Sequence, residues 1–147
     1  MSTVAALLAL VLAGLAILHL YWGFGGVWPG TDEKSCARAI VGARGVERMP
    51  GFLPSVAVAV ALLVVAIVAL ALAGLVALPL PQSLTTLAGT GAALVFIGRG
   101  VAGFTPHWRR LTPEMPFARN DRHWFSPLCL LVGAALSILL LLQGIAA

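Results

Sequence analysis

Long stretches without a charged residue constrain this chain more than any other feature of its sequence. No Asp, Glu, Lys or Arg occurs before Asp32, between Arg48 and Arg99, or after Arg122. A helix needs roughly 20 mostly apolar residues to cross the hydrocarbon core of a bilayer, so these stretches can hold one, two and one such helices. Only 10% of the residues are charged, against about 25% in soluble domains. The sequence therefore predicts an integral membrane protein with four spans.

Proline and glycine clusters mark where the predicted spans end. The spans cover about residues 3–24, 54–78, 84–104 and 126–145 of a single membrane domain, residues 1–147. The first span lacks the basic start of a signal peptide, so we expect a retained helix. Loop 1 (residues 25–53) contains Thr31-Asp32-Glu33, which can cap a short amphipathic helix at the membrane surface. The predicted fold class is all-α: a four-transmembrane-helix bundle with a possible interfacial helix in loop 1.

The basic residues predict how the bundle is oriented. Loop 1 and loop 3 (residues 105–125) are rich in Lys and Arg, whereas the turn between spans 2 and 3 has neither. Excess Lys and Arg marks the cytoplasmic side of a membrane protein, so the net charge of +4 indicates topology and not nucleic-acid binding. We expect loops 1 and 3 in the cytoplasm and both termini outside.

An arginine inside the third predicted span is the sharpest functional signal. Arg99 is the only charged residue in any span, and an arginine in a membrane is costly unless it is paired or reaches the headgroups. No span offers a carboxylate. A partner must be Asp121, Glu47, a helix-end carbonyl, a lipid phosphate or an anionic ligand.

Most of the other distinctive polar and aromatic residues lie at the same membrane face, because the span ends next to loops 1 and 3 meet there. His19 is either a hydrogen-bonded bundle residue or a group for ligand binding, proton transfer, or heme or metal ligation. The aromatic residues fit an interfacial belt or the wall of a pocket. The candidate ligand-binding residues are His19, Tyr21, Trp22, Arg99, Asp121, Trp124 and Ser126.

The remaining motifs favour packing over chemistry. Small residues from Ser126 through Cys129 and Gly133 to Ser137 form one stripe of the fourth span, which is typical of close helix packing. Cys36 and Cys129 have no metal-ligand spacing, so no metal site is predicted, no cofactor is identified, and whether the two thiols ever pair is left open.

Two motifs carry a resemblance to a known family. These are His19-Leu20-Tyr21-Trp22 with Gly25-Gly26-Val27-Trp28-Pro29, and Ser126-Pro127-Leu128-Cys129-Leu130 at the start of the last span. The chain resembles, over most of its length, a bacterial family of small four-helix membrane proteins known only as a domain of unknown function. The resemblance implies the four-span fold and a location in the plasma (inner) membrane of a bacterium, and it implies no activity.

The function that the sequence favours is binding of a lipid or a small anionic amphiphile in a polar pocket beside loops 1 and 3, or service as an accessory subunit of a larger membrane complex. An enzyme that uses His19 as acid or base is an alternative, for which Asp121 is the one nearby carboxylate. An oligomeric transporter or channel is another. The expected partners are membrane lipids, the amphiphile itself, and further copies or other subunits.

Overall fold

A computed structural model describes residues 1–146, and this part of the chain is entirely helical apart from its connecting segments. Four of its helices are long and apolar enough to cross a membrane, which confirms the predicted four-span, all-α fold. The helical elements are α1 (Ser2–Gly23), α2 (Glu33–Ile40), α3 (Phe52–Leu72), α4 (Gln82–Ala102), α5 (Pro106–Leu111), α6 (Phe117–Asn120), a π-helical turn (Asp121–Phe125) and α7 (Ser126–Ala146).

The four long helices pack as two pairs, α1 with α3 and α4 with α7, and the pairs are joined mainly through α3 and α4. Leu12 of α1 and Leu136 and Leu139 of α7 are fully buried in the apolar core of the bundle. Glycine allows α7 to approach α4 closely, since a Cβ atom on Gly133 would lie 2.6 Å from the side chain of Ile97. The small-residue stripe of the last span therefore does contain a packing contact.

The second long helix ends earlier than its hydropathy suggests. α3 stops at Leu72, six residues before the predicted end at residue 78. Gly74 has φ +71°, and the Leu75 N–H donates to the carbonyl oxygen of Leu70 at 2.9 Å. This is the left-handed glycine closure that commonly ends a helix. The connection to α4 is short and uncharged.

The short helix predicted in loop 1 is present as α2. Its N-cap Asp32 accepts a hydrogen bond from the Ser35 backbone N–H at 2.7 Å, and the Ser35 hydroxyl accepts one from the Asp32 N–H at 3.0 Å. This reciprocal capping satisfies two backbone donors that a helix start leaves open. The Ser35 bonds hold the pKa of Asp32 below its ordinary value.

Loops 1 and 3 dock onto each other and form a cap over one end of the bundle. The Arg44 N–H donates to the Leu111 carbonyl, and the Glu114 N–H donates to the Gly42 carbonyl, both at 3.2 Å. The Glu114 carboxylate also accepts from the Gly45 N–H at 3.0 Å, and this bond is the main reason that its pKa lies below its ordinary value. We call residues 28–45 and 111–120 together the loop cap.

Candidate functional site

Arg99 has a carboxylate partner directly beneath the loop cap. Its Nη2 donates to Asp121 Oδ1 at 2.6 Å, and its Nη1 donates to Ser126 Oγ at 3.3 Å. The Ser126 hydroxyl in turn donates to the same Asp121 oxygen at 3.2 Å. Asp121 and Ser126 both have no exposed surface, and the Arg99 side chain is 29% exposed. Of the partners that the sequence allowed for Arg99, the structure selects Asp121.

The second oxygen of Asp121 is bound by residues of α5. Trp108 Nε1 donates to Oδ2 at 3.0 Å, and the Arg109 guanidinium lies 3.7 Å from it. The Trp108 ring also lies under Arg99, with the guanidinium carbon 4.5 Å from the ring centroid, a cation–π contact. Two arginines thus share one buried carboxylate, so the cluster carries a formal charge of +1.

A glycine at the end of α4 leaves room for this cluster, and a π-helical turn begins at its carboxylate residue. A Cβ atom on Gly103 would lie 1.7 Å from Ser126 Oγ and 3.0 Å from Asp121 Oδ2, so no larger residue fits without displacing the cluster. The π-helical turn Asp121–Phe125 leads into α7, and such turns are frequent at functional sites. Arg109 donates to the Gly103 carbonyl at 3.0 Å and so joins α5 to the end of α4. A positive charge at the C-terminal end of a helix is favourable because of the helix dipole.

A cavity of about 510 Å³ lies between the four long helices, below the loop cap and beside Arg99. Its wall is mostly apolar. Within residues 1–146, the strongly polar side chains that line it are His19, Arg99 and Asn120. The Cys129 thiol and the indole rings of Trp22 and Trp28 also line it. The main apolar wall residues are Leu15, Leu18, Val58, Leu62, Phe96 and Leu128.

The roof of the cavity comes from both loops. Phe117 of α6 is buried and lines the cavity. It packs against Gly42, where a Cβ atom would lie 2.2 Å from the phenyl ring. Ile40 at the end of α2 lines the same roof. The docking of loop 1 on loop 3 therefore shapes the space next to Arg99.

His19 lines this cavity and also a smaller one of about 210 Å³ between α1, α3 and loop 1, and one of its ring nitrogens is already bonded. Its Nδ1 lies 2.8 Å from the Leu15 carbonyl oxygen. Its ring meets Trp22 edge to face, with centroids 5.2 Å apart. The Trp22 indole N–H donates to the Trp28 carbonyl at 2.7 Å, which ties the end of α1 to the cap. His19 hydrogen-bonds to no carboxylate in the part of the chain that the structure describes.

The structure gathers five of the seven predicted ligand-binding residues around the cavity. His19, Trp22 and Arg99 line it, and Asp121 and Ser126 lie behind Arg99.

Tyr21 and Trp124 lie outside the cavity. Tyr21 is 44% exposed, and its hydroxyl accepts a hydrogen bond from the Trp28 N–H at 3.3 Å; Trp124 is 71% exposed on the outer surface. Trp108, Arg109 and Asn120 were not predicted as site residues. From their positions in loop 3, Trp108 fitted the interfacial aromatic belt and Arg109 fitted the basic residues that set membrane orientation.

The two cysteines are free. Burial raises the pKa of the Cys36 thiol, which lies against the Trp28 carbonyl at 3.6 Å and is thus a poor nucleophile. Cys129 lines the cavity. No group of three or more His, Cys, Asp or Glu side chains is suitably placed for a metal ion within residues 1–146.

Comparison with known proteins gives one match. The sequence model of a protein family, described as "Protein of unknown function (DUF3995)", matches residues 3–136. No curated protein and no solved structure matches the chain.

Proposed function

The chain belongs to DUF3995, a family of proteins of unknown function, and we propose that it binds a lipid or small anionic amphiphile in the cavity beneath the loop cap. The observation that carries the proposal is an apolar, capped cavity with a partly exposed arginine in its wall. Its volume of about 510 Å³ lies within the range of small-molecule sites, which are typically apolar with a few placed polar groups.

Arg99 has hydrogen-bonding capacity left for a ligand. A guanidinium has five N–H donors, and the bonds to Asp121 and Ser126 use two of them. An acceptor on the ligand can therefore bind Arg99 without breaking the cluster. Hydrogen bonds from arginine to an anionic oxygen are among the stronger ones in proteins.

The formal charge of the cluster favours an anionic head group. Asp121 supplies the carboxylate that the predicted spans lack for Arg99. It does not cancel the charge of the cluster, because Arg99 and Arg109 share it. One positive charge is left over on two partly buried guanidinium groups, where it attracts an anion more strongly than it would in bulk water.

The geometry supports binding better than the acid–base alternative. His19 bonds to a backbone carbonyl, while the Asp121 oxygens are occupied by Arg99, Ser126 and Trp108. Asp121 is therefore poorly placed to orient His19 or to take up a proton from a substrate.

We further propose that the protein lies in a bacterial inner membrane with the loop cap on the cytoplasmic side and both termini outside. Arg48, Arg110, Arg119 and Arg122 are exposed on loops 1 and 3, whereas the α3–α4 connection has no charge, which fits the positive-inside rule. A reporter enzyme that folds only outside the cytoplasm should be active when fused to the C-terminus. Activity of a cytoplasmic reporter there would contradict this orientation.

A pair of bulky substitutions tests the binding function. Leu128→Trp fills the cavity, and Leu131→Trp adds the same side chain on the exposed side of the same helix. The purified proteins are titrated with dodecyl phosphate in nanodiscs and examined by native mass spectrometry. We expect an adduct on the wild type and on Leu131→Trp, and its loss in Leu128→Trp. No adduct on the wild type, or equal adducts on both variants, would refute the proposal.

A further inference from the structure

The hydrogen bonding of His19 indicates what its second nitrogen can offer. A carbonyl oxygen only accepts hydrogen bonds, so the 2.8 Å contact with Leu15 places the proton of a neutral imidazole on Nδ1. The remaining nitrogen, Nε2, is then an acceptor without a proton. His19, with this acceptor, and Arg99, with its donors, both line the same cavity.

No donor of the protein reaches Nε2 within the described residues 1–146. The neighbouring Trp22 indole N–H is directed to the Trp28 carbonyl. The two bonded Arg99 nitrogens are directed to Asp121 and Ser126. An occupied cavity that excludes water would leave this acceptor unsatisfied unless the ligand itself donates to it, and an unsatisfied acceptor is costly.

This requirement divides the anionic amphiphiles into two groups. A fatty carboxylate or a simple phosphate diester offers only acceptors in its head, which suits Arg99 and leaves His19 unpaired. A head that combines an anionic oxygen with a hydroxyl group, such as phosphoglycerol or a hydroxy acid, can satisfy both residues. The residues are on different helices, α1 and α4, so such a head would also link the two helix pairs.

We infer that the ligand of this cavity carries a hydroxyl group beside its anionic oxygen, with the hydroxyl donating to His19 Nε2 and the anionic oxygen accepting from Arg99. The inference rests on the proposed binding function and specifies its ligand class. A phosphoglycerol lipid and a free hydroxy-acid amphiphile share this chemistry.

Two matched probes test the hydroxyl requirement. Dodecyl phosphoglycerol and dodecyl propyl phosphate have the same chain, a similar size and the same single negative charge, and differ in the hydroxyl groups. We expect the wild-type protein in nanodiscs to bind the glycerol ester about three- to tenfold more tightly, the effect of one net hydrogen bond. A second pair of probes, a long-chain 3-hydroxy acid and the same acid without the hydroxyl group, distinguishes a hydroxy-acid ligand from a phosphoglycerol lipid. The pair in which the hydroxyl group increases affinity more identifies the head group that fits the cavity better.

Substitution of His19 assigns the preference to that residue. His19→Phe keeps a ring of similar size without an acceptor and should reduce the preference to about onefold. Thr90→Val, an exposed position of α4 away from the cavity, should leave it unchanged. The two-probe comparison on the wild type does not depend on whether a variant folds.

The outcomes separate this inference from the function on which it rests. If the wild type binds both probes equally, or if His19→Phe binds the probes and keeps the preference, the hydroxyl inference is overturned while amphiphile binding stands. If neither phosphate probe nor either acid binds, the proposed function fails, and this inference fails with it.

Discussion

Replacement of Asp121 with asparagine should strongly destabilise the end of the bundle beneath the loop cap. Asp121 has no exposed surface and accepts hydrogen bonds from Arg99 of α4, Trp108 of α5 and Ser126 of α7. Three helices therefore depend on one carboxylate. Asparagine keeps the size of the side chain and removes its charge, so the substitution tests electrostatics with little change in packing.

The expected loss of stability follows from the burial of the partners. Removing one member of a buried ion pair costs about 3–5 kcal/mol, because the other charge is left uncompensated. Here Arg99 and Arg109 are 29% and 32% exposed, so water compensates part of their charge. We therefore expect the lower end, about 3 kcal/mol. An amide NH₂ in place of Oδ2 also cannot accept from Trp108.

Equilibrium unfolding in mixed dodecyl maltoside and dodecyl sulfate micelles measures this loss. Glu47→Gln is the matched control, because the Lys34–Glu47 pair has nearly the same length, 2.7 Å against 2.6 Å, and its side chains are 57% and 69% exposed. Exposed pairs contribute little, so the control should unfold like the wild type. Equal effects of the two substitutions, or a loss below about 1 kcal/mol for Asp121→Asn, would refute the buried ion-pair reasoning.

Two further predictions concern a close contact and a charged loop. Gly103→Ala should destabilise the protein by about 1–3 kcal/mol through overpacking against Ser126. The control is Gly98→Ala in α4, where nothing lies within 4 Å of an added Cβ, and it should be neutral or slightly stabilising in the same unfolding assay. Equal losses of stability in the two variants would contradict the close contact at Gly103. The hydrogen bond from the Gly45 N–H lowers the pKa of Glu114. The Glu114 carboxylate therefore stabilises the docked loop cap fully at pH values above its ordinary pKa of about 4.5. This stabilisation is lost as the pH falls through the lowered pKa. Hydrogen exchange at the Gly45 amide should accelerate over that range in the wild type. In Glu114→Ala, which has no side-chain acceptor, it should be fast and insensitive to this titration, after correction for the intrinsic pH dependence of exchange.

The four spans could be predicted because hydropathy and charge are local properties of the sequence. The end of α3 could not be predicted this way, since Leu75 and Val76 continue the apolar pattern while Gly74 turns the backbone left-handed. The loop cap was also beyond prediction. It depends on hydrogen bonds such as Gly45 to Glu114, between residues far apart in sequence, which no local pattern records.

The candidate site shows the same division. Arg99 was conspicuous as a lone charge in a span, and Asp121 was one of several possible partners. Trp108 joins them only because α5 folds back beneath the cluster. Adjacent residues of a helix point about 100° apart. Because Trp22 faces the cavity, the neighbouring Tyr21 faces outward. At Trp124, the wider π-helical turn changes which side chains face inward.

The uncharged connection between α3 and α4 has a consequence for how the protein is made. Residues 49–98 contain no charged side chain, so α3, its connection and most of α4 can enter the bilayer as one helical hairpin without carrying a charge across. Each arginine moved into the bilayer centre would cost about 2.5–3.5 kcal/mol on insertion scales. Arg99, the first charge after this hairpin, stays near the side on which the chain is synthesised if the loop cap is cytoplasmic. It can then remain hydrated until the later-made Asp121 arrives to pair with it.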